Sequence, residues 1–205
     1  MRYAQAVKKL RRLARACGRV GVWPPWEEPF LVEMYAFGAV VEGADPLEVV
    51  QVAGVINLPP AKVLWNSSPY GTQQLANDLR LGDGGYEYRW RSHLDPVWNH
   101  YIQGPVRIWS RAGAEEATLD ALAKRRFDDL RRLVPDPAEQ QRQLLAEVDA
   151  AQRRLRRVRD RYWDREWRRE HKGPGQHPEN ELWEAVSGYL ELLEATQHPW
   201  PHQPH

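Results

Sequence analysis

The chain has 205 residues, of which 42% are hydrophobic and 28% charged, and its mean hydropathy is −0.72. This length is sufficient for one domain with a sizeable core and a helical appendage. No stretch approaches the roughly 20 consecutive apolar residues of a membrane span, and the cationic N-terminus lacks the apolar centre of a secretory signal. Cys17 is the only cysteine, which excludes an internal disulfide and is typical of a reducing compartment. We therefore expect a cytoplasmic protein with no membrane partner.

The charges are unevenly distributed, although the formal net charge is only +1. The segment 152–172 is rich in arginine, whereas the segment 179–194 contains several glutamates and no basic residue. Such an asymmetry indicates either a surface for nucleic acid or two helices that neutralise each other.

The first half of the chain predicts a mixture of helices and strands. Residues 4–19 place apolar side chains on one face and surround them with lysines and arginines, which is the pattern of an amphipathic helix. Apolar runs bounded by glycine or proline are typical of strands, and so is the alternation in 105–111. The predicted elements are a helix at 4–19, strands at 31–38 and 48–56, a short strand at 61–65, a helix at 71–80, an edge strand at 86–90 and a strand at 105–111.

The second half of the chain predicts long helices. Residues 114–134 and 138–171 are two helical patterns, separated by Pro135-Asp136-Pro137, which ends one helix and caps the next. A last helix is predicted at 179–195 and a disordered tail at 196–205. Apolar residues of the second helix recur at spacings of four and three, a narrow seam typical of a coiled-coil-like hairpin packing on 114–134. The seam consists of Leu144, Val148, Ala151, Leu155, Val158 and Tyr162.

These elements predict an α+β fold. We expect a small mixed sheet with flanking helices in residues 1–112, followed in 113–195 by a C-terminal helical hairpin plus one helix. The seam of the hairpin can close within one chain or between two chains.

The turn after the first predicted strand has the outline of a nucleotide-binding motif. The strand ends in Phe37-Gly38, and Gly43 follows at a short distance. With the preceding helix, this arrangement resembles the nucleotidyltransferase superfamily, including its minimal type, over about residues 4–56. In that superfamily a Gly-Ser turn contacts phosphates, and an Asp-x-Asp pair with a third acid holds two divalent metals. The chain is also similar to Arg- and Trp-rich actinobacterial proteins, a likeness that implies no activity.

The chain departs from this motif at the residues that carry its chemistry. Ala39 replaces the serine, and the Asp-x-Asp position corresponds to Pro46-Leu47-Glu48 or to Glu48-Val49-Val50. The later strand that would supply the third acid contains Arg107. At most one carboxylate is left, which is too few for two metal ions. We therefore predict a degenerate nucleotide site, a pseudoenzyme without catalytic residues, metal or cofactor. Its positions are Gly38, Ala39, Gly43 and Glu48.

The arginine-rich helix is a second candidate site. Several of its arginines lie broadly opposite the apolar seam and form a cationic stripe of the kind that follows phosphates, and two tryptophans one turn apart are able to stack on bases. The alternative is an exposed helix face with ion pairs at i,i+4 spacing, partly covered by the glutamates of the last helix. The candidate nucleic-acid-binding residues are Arg153, Arg154, Arg157, Arg161, Arg168, Trp163 and Trp167.

Two further groups of residues suggest other roles. Trp23-Pro24-Pro25-Trp26 is a rigid segment with aromatic ends, which favours docking to a protein partner. His93, Asp95 and His100 lie close in sequence, and convergence of their side chains would permit general-base chemistry.

The preferred functional hypothesis is a non-catalytic binding or regulatory protein. Its helical part would mediate association with a protein partner or with a second copy, and one version of this role is that of an antitoxin. The first alternative is a nucleic-acid-binding protein that uses the helix at 152–172. The second alternative is an enzyme whose site is centred on Glu48 or on the histidine loop.

Overall fold

A computed structural model of the chain describes residues 1–20, 29–173 and 177–197. These residues form two compact units, one comprising Met1–Val63 and Ser68–Pro135 and the other comprising Leu64–Ser67 and Asp136–His205. A five-stranded sheet with flanking helices lies in the first unit, and helices dominate the second. The predicted α+β fold is therefore confirmed.

The first unit follows the predicted order of elements closely. The amphipathic pattern at 4–19 forms a helix, and the apolar runs form strands, the first of which ends before Gly38. The elements are α1 (Tyr3–Val20), β1 (Leu31–Phe37), α2 (Ala39–Glu42), β2 (Val50–Ile56), α3 (Thr72–Asp78), β3 (Tyr86–Ser92), β4 (Val106–Ser110), β5 (Gly113–Ala114) and α4 (Glu116–Ala123), with short 3-10 helices at Pro60–Lys62 and Phe127–Asp129.

The sheet is mixed and has the strand order β3-β2-β1-β4-β5. β2 and β3 are parallel, because α3 lies in the connection between them, and the other neighbouring pairs are antiparallel. The register places Phe37 opposite Gln51, and Gln51 beside Glu87. The end of β1 and the beginnings of β2 and β3 therefore meet at one edge of the sheet.

The core of the first unit lies where the apolar face of α1 packs on the sheet and on α4. Leu10 and Leu13 of α1 are fully buried, together with Met34 of β1, Ile108 of β4 and Leu122 of α4. These residues come from both ends of the unit's sequence. α1 and α4 pack on each other and on the same strand, β4, and so hold the sheet in one arrangement.

The second unit contains α5 (Pro137–Arg161), α6 (Arg165–Glu170) and α7 (Pro178–Gln197). Asp136 caps α5 in a capping box with Glu139, and Asp164 caps α6 by accepting hydrogen bonds from the backbone of Glu166 and Trp167. α5 packs along α7. The seam predicted on α5 is buried or half-buried at every position.

Several predicted elements are wrong. The proposed strand at 61–65 is the 3-10 helix Pro60–Lys62, and the predicted helix at 114–134 ends at Ala123. α4 packs on α1 and β4 in the first unit, so the partner of α5 in the helical hairpin is α7. The units divide at Pro135 and Asp136, whereas the sequence placed this boundary at residue 112. α7 extends to Gln197, into the segment predicted as a disordered tail.

None of the helices in the described part of the chain combines the length and apolar composition that crossing a bilayer requires.

Candidate functional site

The turn after β1 has the backbone shape expected of a glycine motif. Gly38 has φ 64° and precedes α2, and Gly43 ends that helix in the left-handed conformation with φ 78°. A Cβ on Gly38 would overlap the side-chain oxygen of Gln51, and a Cβ on Gly43 would lie 2.5 Å from the Phe127 ring. Both glycines are therefore required by close packing within the chain as well as by φ.

A polar cluster of Gln51, Glu87, Arg89 and Tyr101 lies beside this turn. Gln51 Nε2 donates to Glu87 Oε2 and to the Tyr101 hydroxyl, both at 3.1 Å, and the Tyr101 hydroxyl also donates to Glu87 Oε1. Arg89 pairs with Glu87 at 3.1 Å, and its guanidinium lies 5.2 Å from the centre of the Tyr101 ring. Burial and the Glu87 carboxylate raise the pKa of Tyr101 above its ordinary value.

This cluster occupies the place where a nucleotide site was predicted. Glu87 is its one carboxylate, and hydrogen bonds within the chain already engage both of its oxygens. Glu48 is exposed in the loop before β2, and Arg107 pairs with Glu33 and Glu115. Among the described residues, no three His, Cys, Asp or Glu side chains are grouped to hold a metal, and His93, Asp95 and His100 form no such group.

Sequence reasoning missed the polar cluster because it depends on the sheet. Gln51 and Glu87 are far apart in sequence and become neighbours only when β2 and β3 pair in parallel. A usable signal was present at Gln51, which is the one polar residue in the otherwise apolar strand β2.

Most of the predicted nucleic-acid-binding arginines pair with acidic residues of the same unit. Arg154 contacts both Glu181 and Glu184 of α7 at 3.0 Å, and its side chain is only 11% exposed. Arg168 contacts Glu179 at 2.9 Å. Of the two readings of the charge asymmetry, mutual neutralisation by two helices accounts for these residues. Arg153 pairs with Asp149 and Arg161 with Glu170 at the surface, while Arg157 is exposed and makes no ion pair with the described residues.

The two tryptophans predicted to stack on bases have opposite environments. Trp167 is buried with Val158 and Ala185, and its ring stacks on His171 with centres 4.2 Å apart. It therefore belongs to the core of the second unit. Trp163 is 82% exposed, and the guanidinium of Arg168 lies 5.9 Å from its ring.

An exposed apolar surface lies on α7. Ala185, Gly188 and Leu192 form the buried face of the helix. Gly188 lets α7 approach the backbone of Trp65, because a Cβ on Gly188 would lie only 2.6 Å from the carbonyl oxygen of Trp65. On the opposite side, apolar residues recur at spacings of three, four and three. We call this surface the α7 ridge. It consists of Trp183, Val186, Leu190 and Leu193.

The α7 ridge combines two exposed apolar side chains with two half-buried ones. Trp183 is 72% exposed and Leu190 is 48% exposed, while Val186 and Leu193 are half-buried. Contiguous apolar surface of this kind marks interaction sites. The other docking element predicted from the sequence, Trp23 and Trp26, lies outside the described residues.

Comparison with known proteins identifies a family but no activity. No curated protein and no solved structure matches the chain. A family model matches residues 1–198, and the chain therefore belongs to the family of the domain of unknown function DUF7711.

Proposed function

We propose that this is a non-catalytic binding protein whose helical unit associates with a protein partner through the α7 ridge. A second copy of the chain is the first partner to test. The observation that carries the proposal is the exposed Trp183 and Leu190, one above the other on the side of α7 turned away from its buried face.

The spacing of the ridge fits a helix as its partner. Residues at 183, 186, 190 and 193 repeat the three–four pattern by which one helix packs into another. Two α5–α7 pairs joined at this ridge would form a four-helix arrangement, a common solution for pairs of helices with one remaining apolar face. Tryptophan contributes strongly in such interfaces because it buries a large area.

The nucleotidyltransferase-like scaffold stays a prediction, since only the turn geometry at Gly38 and Gly43 supports it. In this proposal the sheet unit is a folded support for the helices.

Light scattering coupled to size-exclusion chromatography of the full chain tests the proposal. We expect a dimer for the wild type and a monomer for Trp183→Ala with Leu190→Ala. Loss of one buried tryptophan typically weakens an interface by about 2 kcal/mol or more, which is roughly thirtyfold in Kd. Trp163→Ala is the matched control, because it removes another exposed tryptophan of the same unit that lies outside the ridge. A wild type that is monomeric at all concentrations and captures no helix-bearing partner contradicts the proposal.

Nucleic-acid binding is a second candidate, favoured by the exposure of Trp163 and by neighbouring arginines without acidic partners. Arg156 and Arg157 are exposed and form no ion pair with the described residues. Charge reversal of these two is a sharper test than reversal of Arg154, which is buried against glutamates. We expect Arg156→Glu with Arg157→Glu to abolish binding of a single-stranded oligonucleotide measured by fluorescence anisotropy, while Trp183→Ala leaves it unchanged.

A further inference from the structure

A cleft in the first unit lies between the start of α1 and the end of α4. Its volume is about 690 Å³, within the range of pockets that hold small organic ligands. Ala4, Val7 and Ala123 provide apolar lining, and Tyr3 also lines the cleft, with its ring against the guanidinium of Arg125. Arg125, which lines the cleft, also donates from Nη1 to Gly43 O at 3.2 Å, so the cleft borders the end of the turn after β1.

The side chains that line the cleft carry more positive than negative charge. Four cations line it, Lys8, Arg11, Lys124 and Arg125, against the one carboxylate of Asp45. Lys8 and Arg11 lie on the same face of α1 because they are three residues apart.

Two of these cations are held by ion pairs within the chain, and the other two are available to a ligand. Arg11 is held by Glu116 at 3.1 Å and Asp120 at 2.5 Å, and its hydrogen bond lowers the pKa of Asp120. Lys8 and Lys124 are exposed and form no ion pair with any described residue. Two exposed ammonium groups beside a guanidinium held by ion pairs are suited to a group with several acceptor oxygens.

Arg125 occupies a backbone position that normally favours glycine. Its φ is 55°, and it follows the C-cap of α4 in a Schellman motif: Arg126 N donates to Ala121 O at 2.8 Å, and Arg125 N donates to Leu122 O at 3.1 Å. A side chain in this left-handed conformation costs roughly 1 kcal/mol, and such strain concentrates at ligand sites.

The Arg125 side chain is directed into the wall of the cleft. Its guanidinium lies 4.2 Å from the centre of the Tyr3 ring and contacts Asp45 Oδ2 at 3.1 Å. The Tyr3 hydroxyl donates to Leu122 O at 3.0 Å, which ties the ring to the end of α4. The cation is thus positioned before any ligand binds.

We propose that this cleft binds a small phosphorylated organic molecule. Lys8 and Lys124 hold the phosphate, the paired guanidinium groups of Arg11 and Arg125 form fixed walls beside it, and the apolar lining contacts the organic part. The chemistry recognised is the phosphate group, whether it is free or part of a small organic molecule.

Isothermal titration of the full chain with inorganic pyrophosphate at about 0.15 M ionic strength tests the proposal. We expect a Kd below about 1 mM for the wild type and at least about tenfold weaker binding for Lys8→Gln with Lys124→Gln, because each charge-assisted hydrogen bond is worth about that factor. Lys62→Gln is the matched control, since Lys62 is an exposed lysine of the same unit outside the cleft.

Arg125→Gly is a second variant that keeps the fold, because glycine prefers the backbone conformation found there. We expect several-fold weaker pyrophosphate binding from it. Absence of pyrophosphate binding to the wild type, or equal weakening by Lys62→Gln, would overturn the proposal. So would an oligonucleotide that binds through Lys8 and Lys124 when pyrophosphate does not, since the ligand would then be nucleic acid.

Discussion

The ion pairs of Arg154 offer the sharpest test of how α5 and α7 are held together. The Nη2 atom of its guanidinium lies 3.0 Å from Glu181 Oε2 and 3.0 Å from Glu184 Oε2, and the arginine side chain is 11% exposed. Replacement by methionine removes the cation but keeps much of the volume. Both glutamates are then left without their counter-ion against α5, and we expect the second unit to lose stability.

The magnitude follows from the exposure of the three side chains. Removing one partner of a fully buried pair costs about 3–5 kcal/mol. The side chains of Glu181 and Glu184 are 34% and 21% exposed, so water partly replaces the lost cation, and we lower the expected cost to about 2 kcal/mol. Arg153→Met, one residue away, breaks an exposed pair with Asp149 and should cost about 0.5 kcal/mol or less.

Hydrogen exchange of peptides from α5 and α7 measures this difference within the second unit. About 2 kcal/mol corresponds to exchange roughly thirtyfold faster in Arg154→Met, with little change in Arg153→Met. Adding Glu181→Gln and Glu184→Gln to Arg154→Met should restore most of the protection, because the carboxylate charges are then removed together with the cation. Equal exchange in the two methionine variants, or no recovery in the triple variant, would refute the conclusion that the ion pairs of Arg154 hold α5 and α7 together.

Three further predictions concern the first unit. Gly54→Ala should lower the free energy of unfolding in urea by about 1–3 kcal/mol, because the added Cβ would lie 2.5 Å from the Trp90 ring. Burial raises the pKa of the Cys17 thiol, so a disulfide reagent should label it only after unfolding, and rapid labelling of the native protein would contradict its burial. Burial also raises the pKa of Tyr86 from 10.0 to about 12. Its contribution to stability is therefore complete below pH 10 and is lost as the pH rises through about 12, a dependence that Tyr86→Phe should remove in alkaline unfolding curves.

Local patterns predicted the elements whose causes are local. The helix at α1 follows from an apolar face of residues such as Leu10 and Leu13, and β1 and β2 follow from apolar runs that end at glycine or proline. In each case the burial that stabilises the element is visible as a periodicity in the sequence. The α+β fold class could be predicted for this reason.

The end of α4 could not be predicted from the same patterns. Leu130 continues the helical spacing of Leu119 and Leu122, and no glycine or proline interrupts the run. The helix nevertheless ends at Ala123, because Arg125 adopts a left-handed conformation that its contacts with Tyr3 and Asp45 support. Those contacts join residues more than 75 positions apart, so no local window contains them.

The same limit applies to the partner of α5. The apolar seam of α5 predicted which of its residues pack against a partner helix. It could not predict which helix that is, because α4 and α7 both have apolar faces at helical spacing. Packing of α4 on α1 and β4 removes one of the two choices. The glutamates that pair with Arg154 then belong to α7, and the opposite charges of the two segments acquire a structural reason.

Salt dependence separates the proposals, because each depends on a different force. The α7 ridge is apolar, so its association should persist or strengthen between about 0.1 M and about 1 M salt. Phosphate binding by Lys8 and Lys124, and oligonucleotide binding by Arg156 and Arg157, should weaken steeply over the same range. A dimer that dissociates in high salt would mean that charged residues form the contact, and the ridge would then not be the interface. A salt-resistant dimer lost in the Trp183 variant would assign the association to apolar contact on α7.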